Sequence, residues 1–249
     1  MKNILYILLV LFSTVTLAQN ELLFEQGNAL YNDGKYAQAI EKYNAILKTK
    51  HHSEELYFNL ANAHYKLNNI APSIYYYEKA LQLAPDDQDV KNNLAYAKNM
   101  TLDAIDVIPQ AGFSKLVKNF TDIMSFDNWA KLAVLSVIIF VLLFLVYYFT
   151  YSTTKKRLAF ISSNLFLFIA VISLVVAFHK YNIHLKDKSA IVFAQETVIK
   201  SEPNNRSSEV FRLHQGTKVQ ILDTINQWKK IKLSDGKTGW IQNVDIKEL

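Results

Sequence analysis

The stretch EELYFNLANAHYKLNNIAPSIYYYEKALQLAPDD, residues 54–87, decides the reading of the N-terminal part of this chain. Laid over NELLFEQGNALYNDGKYAQAIEKYNAILKTKHHS, residues 20–53, it repeats with a period of 34. Counting positions within each copy, position 8 is Gly27 and then Ala61, position 20 is Ala39 and then Ser73, and position 24 is Tyr43 and then Tyr77. The second copy adds Ala80 at position 27 and Pro85 at position 32. Two antiparallel helices approach closely only where side chains are small, and an aromatic ring fills the gap left between neighbouring repeats. Asn32-Asp33-Gly34 and Leu67-Asn68-Asn69 supply the turn inside each copy. Each copy therefore reads as a helical hairpin. The first departs from the second at Ile46 (position 27) and His51 (position 32).

This pattern resembles the tetratricopeptide (TPR) repeat family, which carries small residues at positions 8, 20 and 27 and an aromatic at 24. A further helix over residues 88–100 places Leu94 and Ala95 at positions 7 and 8 of another first helix, but no second helix follows. It is expected to cap the open face of the second repeat, so that the module covers residues 19–100. The resemblance implies a concave face, formed by the first helices, that binds peptides. Positions 9, 12 and 13 are Asn28, Tyr31 and Asn32, then Asn62, Tyr65 and Lys66. An asparagine there offers a donor and an acceptor to a peptide backbone. The other reading is a plain solvated helix face. On either reading, removing both asparagines is expected to change stability by no more than about 0.5 kcal/mol. Phe24 and Phe58 stand at position 5, where carboxylate-clamping relatives carry a basic residue, so capture of a peptide C-terminus is not expected.

Leu132–Phe149 and Leu158–Phe178 are runs of 18 and 21 residues without a charge. A bilayer is spanned by ~20 apolar residues, so two transmembrane helices are expected, over 129–149 and 158–178. Trp129, Tyr147, Tyr148 and Tyr151 stand where interfacial aromatics belong. The intervening loop, 150–157, carries Lys155, Lys156 and Arg157 and no acid, which favours the cytoplasmic side; Lys180, Lys186 and Lys188 weigh the other way. At the N-terminus, Lys2, the apolar run Ile4–Phe12 and Thr16-Leu17-Ala18-Gln19 read as a signal peptide, residues 1–18. Export followed by two crossings would leave both flanking modules on the periplasmic face of the inner membrane. In the linker, 101–128, Phe113, Leu116, Val117, Phe120, Ile123 and Met124 recur at helical spacing, with Lys115 and Lys118 on another face. That amphipathic helix is expected either in the lipid headgroup layer or against the repeats.

Residues 188–249 alternate apolar and polar, as in Lys218-Val219-Gln220-Ile221 and Lys230-Ile231-Lys232-Leu233, and Ser234-Asp235-Gly236-Lys237 is a hairpin turn. Leu213–Val219 with Gly216, then Trp228–Ile231, then Asp235–Ile241 with Gly239 and Trp240, resemble bacterial SH3 domains. Gly216 is expected to turn the chain before a central strand. Both tryptophans are read first as barrel packing, since so small a module needs large side chains in its core. The alternative is an aromatic groove for cell-wall peptides, as in some relatives.

No residue pattern points to chemistry. The chain has no cysteine, which removes thiolate metal sites, disulfides and a lipid acceptor. It has no phosphate-binding glycine loop, no nucleophile elbow and no zinc-protease motif. His51 and His52 are adjacent, so their side chains diverge. The net charge of +5 is spread out: residues 19–100 carry eight Lys against ten Asp/Glu, and 185–249 carry eleven Lys/Arg against eight. Nucleic acid, cofactors and catalysis are therefore not expected. The fold class expected is a multi-domain membrane protein: an all-α TPR solenoid, two transmembrane helices and an all-β SH3-like barrel. That order resembles the BatE-type proteins of the Bacteroides aerotolerance operon. The resemblance implies a scaffold in a stress-related membrane complex, with von Willebrand A-domain membrane proteins as partners. The alternative is an envelope anchor whose SH3 module grips peptidoglycan.

Overall fold

The computed structural model describes residues 19–105 and 112–249; the expected signal peptide, 1–18, lies outside them. The chain divides into two units, Met1–Ile108 with Lys188–Leu249, and Pro109–Asp187.

The first unit opens with α1 (residues 19–32), α2 (Tyr36–Lys48), α3 (Glu54–Lys66), α4 (Ile70–Leu83) and α5 (Gln88–Lys98). Local chemistry sets their ends. Ser53 and Asp87 cap α3 and α5 by accepting from the backbone N–H of Leu56 and Val90. Gly34 and Asn68, 34 residues apart, take φ of +76° and +59° in the two intra-repeat turns, a conformation that glycine and asparagine tolerate. The residues expected at the helix contacts are there. Ala39, Ala61 and Ala80 are fully buried, Ser73 donates its hydroxyl to the carbonyl of Ala61 (3.1 Å), and Tyr43 and Tyr77 fill the inter-repeat gaps. A Cβ at Gly27 would overlap the ring of Tyr43. Ile46 is buried with Tyr43, Leu56 and Leu60. Val90, Leu94 and Ala97 of α5 complete the core of the second repeat, while Ala95 stays exposed with no second helix over it.

The C-terminal part forms a seven-stranded antiparallel sheet: β1 (Ser189–Val192), β2 (Glu196–Lys200), β3 (Glu209–His214), β4 (Lys218–Ile225), β5 (Trp228–Lys232), β6 (Thr238–Gln242) and β7 (Ile246–Glu248), in the spatial order β3-β2-β6-β5-β4-β1-β7. Gly216 (φ +90°) turns the chain into β4, and Gly236 (φ +87°) lies in the β5–β6 hairpin, where Asp235 accepts from the N–H of Lys237. Gly239 lies where β6 passes over Ile199, too close for any side chain. The expectation for the tryptophans divides: Trp240 is buried, as packing requires, but neither ring joins the main core cluster of the barrel. The barrel core is aliphatic, built from Val192, Ile199, Leu213, Val219, Ile231 and Ile241 among others. Trp228 and Trp240 lie on the other face of β5 and β6, since Lys230 pairs with Trp240 and Ile231 with Gly239. Trp240 is 9% exposed and Trp228 half-buried.

Sequence gave no hint that the barrel and the repeats would share a core. Ile191 of β1 is fully buried in one cluster with Ala71, Ile74 and Tyr75 of α4, and Phe193 and Leu249 pack at its edge.

The second unit holds α6 (Phe113–Thr121), α7 (Phe126–Phe149) and α8 (Thr153–Lys186). α7 and α8 are long and apolar enough to cross a membrane: their most apolar windows have mean hydropathies of 2.9 and 2.4, and only 11% and 28% of each is buried. So much exposed Val, Leu, Ile and Phe suggests a membrane association. The expected loop 150–157 contracts to residues 150–152, because α8 starts at Thr153 and carries Lys155, Lys156 and Arg157 in its first turns. α8 also continues beyond Phe178. The residues buried between the two helices are mainly small (Ala133, Ser136, Ala159, Ser163, Ala170, Ser173, Ala177), which lets the backbones approach. α6 belongs to this unit, with the Phe120 ring tilted against Trp129 at 5.4 Å between centroids.

Candidate functional site

The helices α1, α3 and α5 bring together the residues expected on the concave face, and the period of 34 builds a hydrogen-bonded triad at each step. The carboxamide oxygen of Asn28 accepts from the Tyr43 hydroxyl (2.7 Å) and from the Asn59 amide (3.0 Å). The oxygen of Asn62 accepts from Tyr77 (2.5 Å) and from Asn93 (3.1 Å). Each triad therefore joins a first helix, its own second helix and the first helix that follows. Burial pushes the Tyr43 phenol up to about 12, with Tyr31 adding to the effect, and raises Tyr77 likewise, so both remain protonated donors.

This corrects the expectation of a freely solvated asparagine face. With both oxygens committed internally, Asn28 and Asn62 offer only amide donors outward, and they satisfy tyrosines that are 1% exposed. Removing them would orphan buried hydroxyls, at a cost of roughly 1–3 kcal/mol each. Asn59 and Asn93 were missed from the sequence. The signal was present: both stand at position 6 of their copies, 34 residues apart.

Tyr31, Asn62, Tyr65 and Lys66 line a cleft of about 220 Å³ together with Tyr77, Asn93 and Tyr96. Asn32 is exposed beside the turn and does not line it. The rings of Tyr31, Tyr65 and Tyr96 can stack on an extended chain, and the amides and Lys66 can donate to its carbonyls. Tyr96 is 62% exposed.

The seam between repeats and barrel lies elsewhere on the unit. The Asp103 carboxylate accepts from the backbone N–H of His214 (2.7 Å), from the His214 ring (2.7 Å) and from the Thr217 hydroxyl (2.6 Å). Burial opposes its charge, but these bonds outweigh burial and hold its carboxyl below the usual range. Glu78 of α4, with its side chain 9% exposed, is flanked by Lys218 of β4 (2.7 Å) and Lys98 of α5 (3.0 Å). Burial again opposes its charge, and the two lysines prevail to lower its pKa. Lys247 sits 4.2 Å above the ring of Tyr75. His64, stacked on Tyr76, is lowered to about 4, first by burial and then by Lys247, and is neutral at neutral pH.

Of the SH3 signature residues, Gly216 is buried against the repeats, where a Cβ would meet Thr101, Ile70 and Ile74 at 2.8–3.0 Å. Trp228 shares the outer face of the sheet with Lys230 and Lys232. Among the described residues, no group of three or more His, Asp or Glu side chains could hold a metal ion.

Three family models match parts of the chain. A bacterial SH3 domain model matches residues 197–247, a tetratricopeptide repeat model matches 54–87, and a TPR repeat model matches 27–68. No curated protein matches the chain. TPR repeats and bacterial SH3 domains are typically non-catalytic modules for binding proteins or the cell envelope.

Proposed function

We propose that this chain is a membrane-anchored interaction scaffold of the bacterial envelope, with the repeats and barrel outside the inner membrane and the cleft of Tyr31, Tyr65, Lys66 and Tyr96 as its working surface. The cleft carries the reading: Tyr96 stands 62% exposed in it, and the exposed Lys66 adds a cation beside the rings of Tyr31 and Tyr65, which also pack at the edges of the repeat cores. The docked seam supports placing both soluble parts on one side, because the chain between them holds two apolar helices, an even number of crossings. The resemblance to BatE-type proteins points to von Willebrand A-domain membrane proteins as partners in a stress or aerotolerance complex.

Co-purification of the full chain with such a partner from membranes tests this. Tyr65→Ala and Lys66→Glu each change a side chain that opens on the cleft, and each is expected to lower partner recovery about tenfold, as loss of one interface aromatic or charge does. Asn28 and Asn62 are unsuitable probes because their loss would damage the fold.

The alternative, a peptidoglycan anchor, is favoured by Trp228, half-buried on the same face of β5 as Lys230 and Lys232. If Tyr65→Ala and Lys66→Glu leave partner recovery unchanged while Trp228→Ala abolishes sedimentation with purified peptidoglycan, that alternative replaces the scaffold reading.

A further inference from the structure

The second unit contains an apolar groove between α6 and α8. Its walls are Leu116, Val117 and Phe120 of α6 and Val175 and Val176 of α8, and it encloses about 440 Å³. Only Thr121 and His179 add polar groups to the lining. A volume of this size, lined this way, is typical of a small-molecule site.

The groove is held open by polar ties behind it. The ammonium of Lys180 donates to the carbonyls of Thr121 (2.9 Å) and Met124 (2.9 Å) and pairs with Asp122 (3.1 Å). The indole N–H of Trp129 donates to the same Thr121 carbonyl (3.0 Å), and the Trp129 ring packs on Phe120. These contacts fix the C-terminal end of α6 to α7 and α8, so α6 cannot roll its apolar face shut over the groove. Leu116 and Phe120 accordingly remain 66% and 46% exposed.

The surroundings indicate the occupant. Val171, Leu174, Val175 and Phe178 continue the groove wall along α8 and are all about half exposed or more, so the groove merges with the apolar surface of that helix. Residues 112–131 carry Lys115, Lys118 and Lys131 against Asp122 and Asp127, and Asp122 is already engaged by Lys180. The slot is continuous with a membrane-facing surface, and the helix that walls it carries Lys115 and Lys118 on its other face, which matches a lipid with an acidic head. We infer that the groove between α6 and α8 binds one acyl chain of an anionic phospholipid, whose headgroup lies among these lysines. The inference rests on reading α7 and α8 as membrane spans.

The full chain, extracted from membranes in mild detergent, is titrated with phosphatidylglycerol or phosphatidylcholine, and bound lipid is counted by native mass spectrometry. The wild type is expected to retain one phosphatidylglycerol in preference to phosphatidylcholine. Val117→Trp and Val175→Trp fill the groove from opposite walls, and either should abolish that retention. Lys115→Gln and Lys118→Gln should each lower the headgroup preference about fivefold while leaving acyl binding in place. Retention in both filled variants equal to wild type, or equal retention of the two lipids, overturns the proposal. Carbonate extraction separates this failure from the failure of the membrane reading. A chain that stays in the membrane pellet but shows no preferred lipid loses only the groove, whereas a chain released by carbonate loses both.

Discussion

Gly27→Leu is expected to unfold the first repeat while leaving the barrel strands protected. A Cβ alone at this position already overlaps the Tyr43 ring, and a leucine adds three more carbons in the same direction. Tyr43 cannot step aside. It is 1% exposed, sits in a core with Ala39, Ile46, Leu56 and Leu60, and is tied by its hydroxyl to Asn28. Overpacking costs typically 1–3 kcal/mol and occasionally more, and displacing Tyr43 would also strand the Asn28–Asn59 bond. A loss of about 3 kcal/mol is a large share of what so small a helical module holds. Hydrogen–deuterium exchange of the full chain in detergent reads this locally: protection over residues 19–66 should fall by about a hundredfold, with 218–242 little changed. Unchanged protection in the first repeat would mean that the register assigned to the 34-residue period is wrong.

Gly216→Ala is expected to loosen the barrel from the repeats, and Gly34→Ala is its control. Both glycines have positive φ, so both substitutions incur the left-handed backbone cost of roughly 1–2 kcal/mol. They differ in surroundings. Nothing lies within 4 Å of a Cβ at Gly34, whereas at Gly216 it would press on Thr101, Ile70 and Ile74 at 2.8–3.0 Å. The overpacking at Gly216 adds about 1–3 kcal/mol. The extra exchange should appear on both sides of the seam, in residues 70–78 and 189–192. Equal effects of the two substitutions would mean that Gly216 does not face the repeats.

What could be read from the sequence, and what could not, follows the range of the interactions. Gly27, Ala61, Ser73 and Tyr77 were legible because a repeat writes its packing into a fixed period, and one copy checks the other. Gly216 and the Asp235-Gly236 turn were legible because turn chemistry is local. Asn59 and Asn93 carry the same period but complete the triads from the following repeat, so reading each repeat by itself passed over them. Size alone predicts that both tryptophans pack, and Trp240 is buried, but the pleat of β5 and β6 puts them on the opposite face from Ile231 and Ile241 and leaves Trp228 half-buried. The seam was invisible. Lys218 and Glu78 are 140 residues apart, and no periodicity marks a contact of that kind. The small residues along α7 and α8 were legible in principle, as alanines and serines spaced three or four apart, but apolar length dominates the reading of such segments.

The account turns on the repeats and barrel forming one docked body on one side of the membrane. The absence of native cysteine makes this directly measurable. Asp103→Cys and Thr217→Cys replace side chains that meet at 2.6 Å across the seam, from segments flanking the two apolar helices. The double variant, expressed in intact cells, is treated with a short membrane-impermeant bismaleimide, and the bridged peptides are identified by mass spectrometry. The account predicts an efficient intramolecular bridge between positions 103 and 217. Two thiols that are each modified singly without bridging, or one modified while the other is protected, would contradict it.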